Sequence, residues 1–152
     1  MASESTIGEL VYEVKASLTS ITEHGVSFEK LASGGMLPPP EGARVDVAFE
    51  GEVAGPRLKG RLSGVDYLHM RADGRIDLHI HASITADDGE RVAFFADGVA
   101  TPSDTPGVFN LRENATLQSG SPAYQWVNGL QVWAIGTANV GTGELNVKGY
   151  AA

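Results

Sequence analysis

Apolar residues recur at every second position along most of this chain, and a period of two belongs to a strand rather than a helix. In GELVYEVKASL (Gly8 to Leu18), Leu10, Tyr12, Val14, Ala16 and Leu18 fall on one face, and Glu9, Val11, Glu13, Lys15 and Ser17 on the other. RVDVAFEGEVAG (Arg44 to Gly55), RIDLHIHASITA (Arg75 to Ala86) and RVAFFADGVA (Arg91 to Ala100) alternate in the same way; RLKGRL and VDYLHMRA are shorter runs. YQWVNGLQVWAIGTANV and GELNVKGYAA read as a closing hairpin turned at Gly141 to Gly143. LASGGMLPPPEGA (Leu31 to Ala43) reads as a Gly/Pro-rich loop, and Thr101 to Ala123 as a polar stretch with room for one short strand. About eight to ten strands joined by short turns, with little helix, predict an all-β chain. The expected form is a single antiparallel barrel over residues 1–152, whose interior side chains fill or which holds one small ligand.

Composition narrows the function classes. The formal charge is −8 and the 11 basic residues are scattered, whereas phosphate backbones are bound by clustered Lys and Arg. Nucleic acid and membrane are therefore not expected partners. Cysteine is absent, which removes disulfides, thiolate nucleophiles and cysteine-ligated metals and fits a cytoplasmic location. No apolar run approaches the roughly 20 residues that span a bilayer, and MASESTIGEL lacks the basic start and apolar core of a secretory leader.

The chain has four histidines, and two of them, His79 and His81, stand two apart in one strand. Directly opposed residues on neighbouring strands share a face. A two-residue turn at Asp73-Gly74 would pair Ala72 with Arg75, Met70 with Asp77, Leu68 with His79 and Asp66 with His81. A three-residue turn ending at Gly89 would pair Phe95 with His81 and Asp97 with His79. In that register His79, His81, Asp66 and Asp97 share a face with Leu68, Met70 and Phe95, and a one-residue slip would scatter them. Three readings of this face stand open. It is a solvated surface; or it is an acid–base centre in which a carboxylate orients an imidazole; or His-x-His ligates a metal with Asp66 or Asp97 as a third ligand. His69 falls on the opposite face in this register and His24 lies far off in sequence, so no third imidazole is placed and no bound metal is expected.

Tyr124, Trp126 and Asn128 also alternate, so on a strand they would share a face, either as core or as the lining of a ligand cavity with two hydrogen-bonding tips. Arg57, after Gly55-Pro56, sits at a turn and could meet a carboxylate.

Several stretches together resemble one widespread microbial family, the domain of unknown function 3237. They are the Gly51, Gly55, Pro56, Arg57 turn; Asp66 with Tyr67; Asp73-Gly74; Asp87, Asp88 and Gly89; and Tyr124, Trp126 and Asn128. The order and spacing match over nearly the whole chain. The resemblance implies a lipocalin-like (calycin-type) barrel that often self-associates, hence a homodimer or higher homo-oligomer, and it implies no activity. One departure is that members often carry an Asp-x-Arg pair where this chain has His79-Ile80-His81.

No Gly-rich phosphate loop opens a helix and no Gly-x-Ser-x-Gly elbow occurs. The expected function is therefore cofactor-independent acid–base catalysis (isomerase, lyase, cyclase or epoxide-opening) on a small, mostly apolar organic molecule. His81 with Asp66 would transfer the proton, while His79 with Asp97 polarises the substrate. Leu68, Met70, Phe95, Tyr124, Trp126, Asn128 and Arg57 would bind it. A non-catalytic carrier of a small hydrophobic ligand and a metal-dependent lyase or hydrolase are the rival readings.

Overall fold

The computed structural model describes residues 8–152; residues 1–7, where the absence of a leader was read, lie outside the description. Eight strands run as an uninterrupted meander: β1 (Glu9–Glu23), β2 (Ala43–Ala54), β3 (Gly60–Met70), β4 (Ile76–Ala86), β5 (Arg91–Pro102), β6 (Val108–Gln118), β7 (Val132–Asn139) and β8 (Glu144–Ala151). Each pairs antiparallel with the next, and β8 pairs with β1, so the sheet closes into a barrel. Closure leaves no unpaired edge. A short helix, α1 (Phe28–Ala32), lies at one end of the barrel, and a 3₁₀ helix (Pro122–Val127) at the other. No helix among the described residues is long and apolar enough to cross a membrane.

The alternation seen in the sequence is the in–out alternation of the barrel wall. In β4, Ile76, Leu78, Ile80 and Ile84 are buried inside while His79 and His81 are exposed outside. In β6 the inward positions are Phe109, Leu111, Glu113, Ala115 and Leu117, all buried. β6 is eleven residues long, within a segment expected to be mostly loop. The expected loop from Leu31 begins inside α1, whose Phe28 and Leu31 turn inward.

The hairpin registers settle which residues share a face. The β4–β5 turn is as expected: Ala86 N–H donates to Glu90 O, Gly89 has φ +89°, and His81 faces Phe95 while His79 faces Asp97. The β3–β4 turn departs by one residue. Arg71 N–H donates to Arg75 O and Gly74 N–H to Arg71 O, so Ala72, Asp73 and Gly74 form a three-residue loop. Asp-Gly serves a two-residue hairpin and also the end of a three-residue one in which Gly takes the left-handed position; Gly74, at φ +90°, does the latter. Asp66 therefore pairs with Ile80, Val65 with His81 and His69 with Asp77. The slip transfers Asp66, Leu68 and Met70 to the inner face and puts His69 outside.

Candidate functional site in the barrel interior

An apolar cavity of about 100 Å³ occupies the half of the barrel nearer α1. Its wall is aliphatic and aromatic, with Phe28, Phe49, Leu68, Ile76, Leu78, Ile80, Phe94 and Phe109 among the lining residues. The opposite end is stopped by Leu58, from the β2–β3 loop, and Val127, from the 3₁₀ helix, both fully buried.

Three polar side chains break this wall: Asp66 from β3, Glu113 from β6 and Tyr12 from β1. Small residues make room for two of them. Glu113 pairs with Gly98 on one side and Ala134 on the other; Ala134 pairs in turn with Gly149, and Gly149 with Tyr12. A Cβ on Gly149 would collide with the Tyr12 ring, so only glycine lets that ring lie over the β8 backbone. The far side of the ring meets Phe94 edge-on, with centroids 5.7 Å apart.

The electrostatics follow from burial. Asp66 Oδ1 accepts the backbone N–H of His79 at 2.8 Å. Desolvation raises the Asp66 carboxyl and that hydrogen bond pulls it partly back, to a net value of about 7. Desolvation, and then the charge of Asp66, push Glu113 up to about 8. Desolvation, and then Glu113, raise the Tyr12 phenol above its ordinary range. The Tyr12 hydroxyl is fully buried and finds no hydrogen-bond partner among the described residues, an uncommon state for a buried polar group.

The expected catalytic four are therefore not brought together. Asp66 faces the cavity; His79, His81 and Asp97 face out. The outer three have their own contacts: the two imidazole Nε2 atoms lie 3.2 Å apart, and the Asp97 carboxylate accepts the Asn114 amide. Among the expected binding residues, Leu68 lines the cavity, Met70 is buried inside the wall, and Phe95 stands outside against both imidazoles.

The Tyr124, Trp126 and Asn128 group is not on a strand. Pro122 starts the 3₁₀ helix that carries the first two, and Asn128 caps it. The Asn128 side chain accepts from Ser119 N–H at 2.8 Å and donates to Ser119 O at 2.9 Å, tying the helix to the end of β6. Tyr124 donates to Asp88 at 2.8 Å, a bond that raises its phenol pKa. Arg57 stacks over Trp126, 4.0 Å from the ring centroid. These residues brace the closed end of the barrel, away from the cavity.

Glu113 and Tyr12 were missed as site residues. The usable signal for Glu113 was a carboxylate at an inward position of the run Phe109, Leu111, Glu113, Ala115, Leu117.

Comparison with known proteins places the barrel. A Clostridium acetobutylicum protein described as a UPF0311 protein is 26% identical over 93 residues, 52% of this chain. The match spans 59% of that relative's length. The crystal structure of a Clostridium acetobutylicum protein with unknown function superposes with a TM-score of 0.77 at 20% identity, covering 94% of both chains. That of an enzyme from Penicillium herquei superposes with a TM-score of 0.59 at 20% identity, covering 99% of both. Likenesses at such identities show the fold. With its match to the family over residues 18–151, the chain belongs to the DUF3237 proteins, a family described as being of unknown function.

Proposed function

We propose that the barrel is a cofactor-independent acid–base enzyme acting on a small, mostly apolar molecule, and that Asp66, Glu113 and Tyr12 do the chemistry. One observation carries this reading: two carboxyls and an unpartnered phenol converge on a cavity whose remaining wall is apolar. Burying two carboxyls and a phenol with a single hydrogen bond to Asp66 and none to the phenol costs several kcal/mol, a cost unnecessary in a plain hydrophobic carrier.

The roles follow from the proton affinities. Asp66, at about 7, is close to half ionised at neutral pH, the condition in which a carboxyl both takes and returns a proton efficiently. Glu113, at about 8, stays mainly protonated and is a hydrogen-bond donor. A neutral carboxylic acid and a phenol form a pair of donors suited to a developing enolate or alkoxide oxygen. The chemistry is proton abstraction beside a carbonyl, leading to isomerisation, elimination or ring closure. The cavity volume is small beside the roughly 300–1,000 Å³ typical of drug-sized ligands, which favours a compact substrate. That a barrel of this shape serves as an enzyme in Penicillium herquei supports the reading.

The test is solvent-deuterium exchange into a panel of compact apolar ketones, followed by mass spectrometry. The wild-type protein should catalyse exchange, and Asp66→Asn should slow it by about 10²–10⁴-fold. Ligands that bind without exchanging would favour the carrier reading, and exchange that Asp66→Asn leaves intact would overturn the assignment of Asp66 as the base.

A further inference from the structure

The outer face of β4 carries a second arrangement that the cavity chemistry does not use. His79 and His81 stand two apart, so the alternation of the strand projects both rings on the same side. Their Nε2 atoms face each other at 3.2 Å. Without an ion, one ring donates its N–H to the lone pair of the other. Two bonds of about 2.0–2.1 Å meeting at one cation, at angles of about 90–110°, place their nitrogens about 2.9–3.4 Å apart. The observed separation falls inside that interval, so both nitrogens can reach one cation once each ring turns its lone pair from the other nitrogen toward the ion.

The rings are also held in place. Phe95, directly across from His81, packs edge-on against both, with centroids 5.4 Å from His79 and 5.2 Å from His81. Tyr67 closes on them at 6.4 and 6.0 Å. Aromatic walls of this kind limit side-chain rotation, so less freedom is lost on binding. Both imidazoles remain exposed, and an ion can reach them from solvent. Asp97 lies across from His79 and adds negative charge beside the pair.

We infer that His79 and His81 form an exchangeable chelating site for a late first-row divalent cation, with Cu²⁺ preferred over Zn²⁺ and Ni²⁺. Imidazole is a good ligand for all three, and the general order of affinities places Cu²⁺ first. Among the described residues no group of three or more His, Asp, Glu or Cys side chains converges. Water therefore completes the coordination, and the ion is gained and lost readily. The site lies outside the barrel and stands or falls separately from the cavity chemistry.

Titration of the purified full chain with Cu²⁺, read by isothermal calorimetry and by nitrogen splitting in the electron paramagnetic spectrum, tests this. One saturable ion per chain with two imidazole nitrogens is expected. His79→Ala and His81→Ala should each weaken binding by about tenfold or more, while the double variant His24→Ala, His69→Ala should bind as the wild type does. The inference is overturned if no saturable binding occurs, or if removing both His79 and His81 leaves the affinity unchanged.

Discussion

The backbone N–H of His79 donates to Oδ1 of Asp66 at 2.8 Å, so a residue whose ring points out of the barrel holds, by its amide, the carboxyl that points in. The β3–β4 pairing passes from Asp66–Ile80 to His69–Asp77 across this point, and the carboxylate takes an amide that would otherwise serve the ladder. Asn retains an acceptor there. Asp66→Asn should therefore keep the barrel folded, whereas Asp66→Ala leaves the His79 N–H without this partner and should be the less stable of the two, by about 1 kcal/mol. Chemical denaturation of the two variants side by side checks the difference.

Stability should fall with rising pH. Asp66 and Glu113 titrate at about 7 and about 8 in the barrel, and near 4 in an unfolded chain. Between those limits the folded state holds more protons than the unfolded one, so unfolding becomes easier as pH rises and the penalty is complete above the folded values. At these values the loss from about pH 4 to 9 is on the order of 8 kcal/mol for the two groups together. Melting temperatures of wild type and of the double variant Asp66→Asn, Glu113→Gln will show it: the wild-type curve should slope downward and the variant curve should be nearly flat.

Tyr12→Phe removes a hydroxyl that has no partner and keeps the ring against Phe94. Its expected effect is neutral to stabilising, by up to about 1–3 kcal/mol, together with slower exchange in the ketone assay. A destabilised variant would mean that the hydroxyl is satisfied in solution and has no free valence for a substrate.

The inside and outside of β4 should differ sharply. Ile80→Ala is expected to cost about 2–5 kcal/mol, while its neighbour His81→Ala should stay within about 0.5 kcal/mol. Equal losses at the two positions would contradict the observed register.

Asn128→Ala should destabilise the barrel by about 1–3 kcal/mol, because it strands two backbone groups of Ser119. Its effect on ligand affinity should be slight, which separates its bracing role from the binding role its alternation with Tyr124 and Trp126 suggested.

The barrel was legible because its wall obeys one rule, apolar in and polar out, over most of its length. Its site was hidden where that rule breaks. Glu113 occupies an inward position in β6, and with its polar neighbours it made the strand look like a loop. Asp66 was recognised but turned the wrong way, since Asp73-Gly74 fits loops of two and three residues and one residue of register inverts a whole face. His79 and His81 drew attention through their rarity, yet they interrupt nothing in the inner wall. Pro122 gave a local cue against a strand at Tyr124–Trp126, and the alternation of aromatic residues outweighed it.

Because Leu58 and Val127 stop one end of the barrel, the route left for a ligand of the cavity runs past α1, whose N-terminus is pinned by the Glu23 carboxylate accepting Phe28 N–H at 2.7 Å. Arrival and departure then share one transit barrier. Trimming Phe28, which also lines the cavity, should speed departure more than arrival, so that the residence time of each visitor shortens by more than the lowered barrier alone would give.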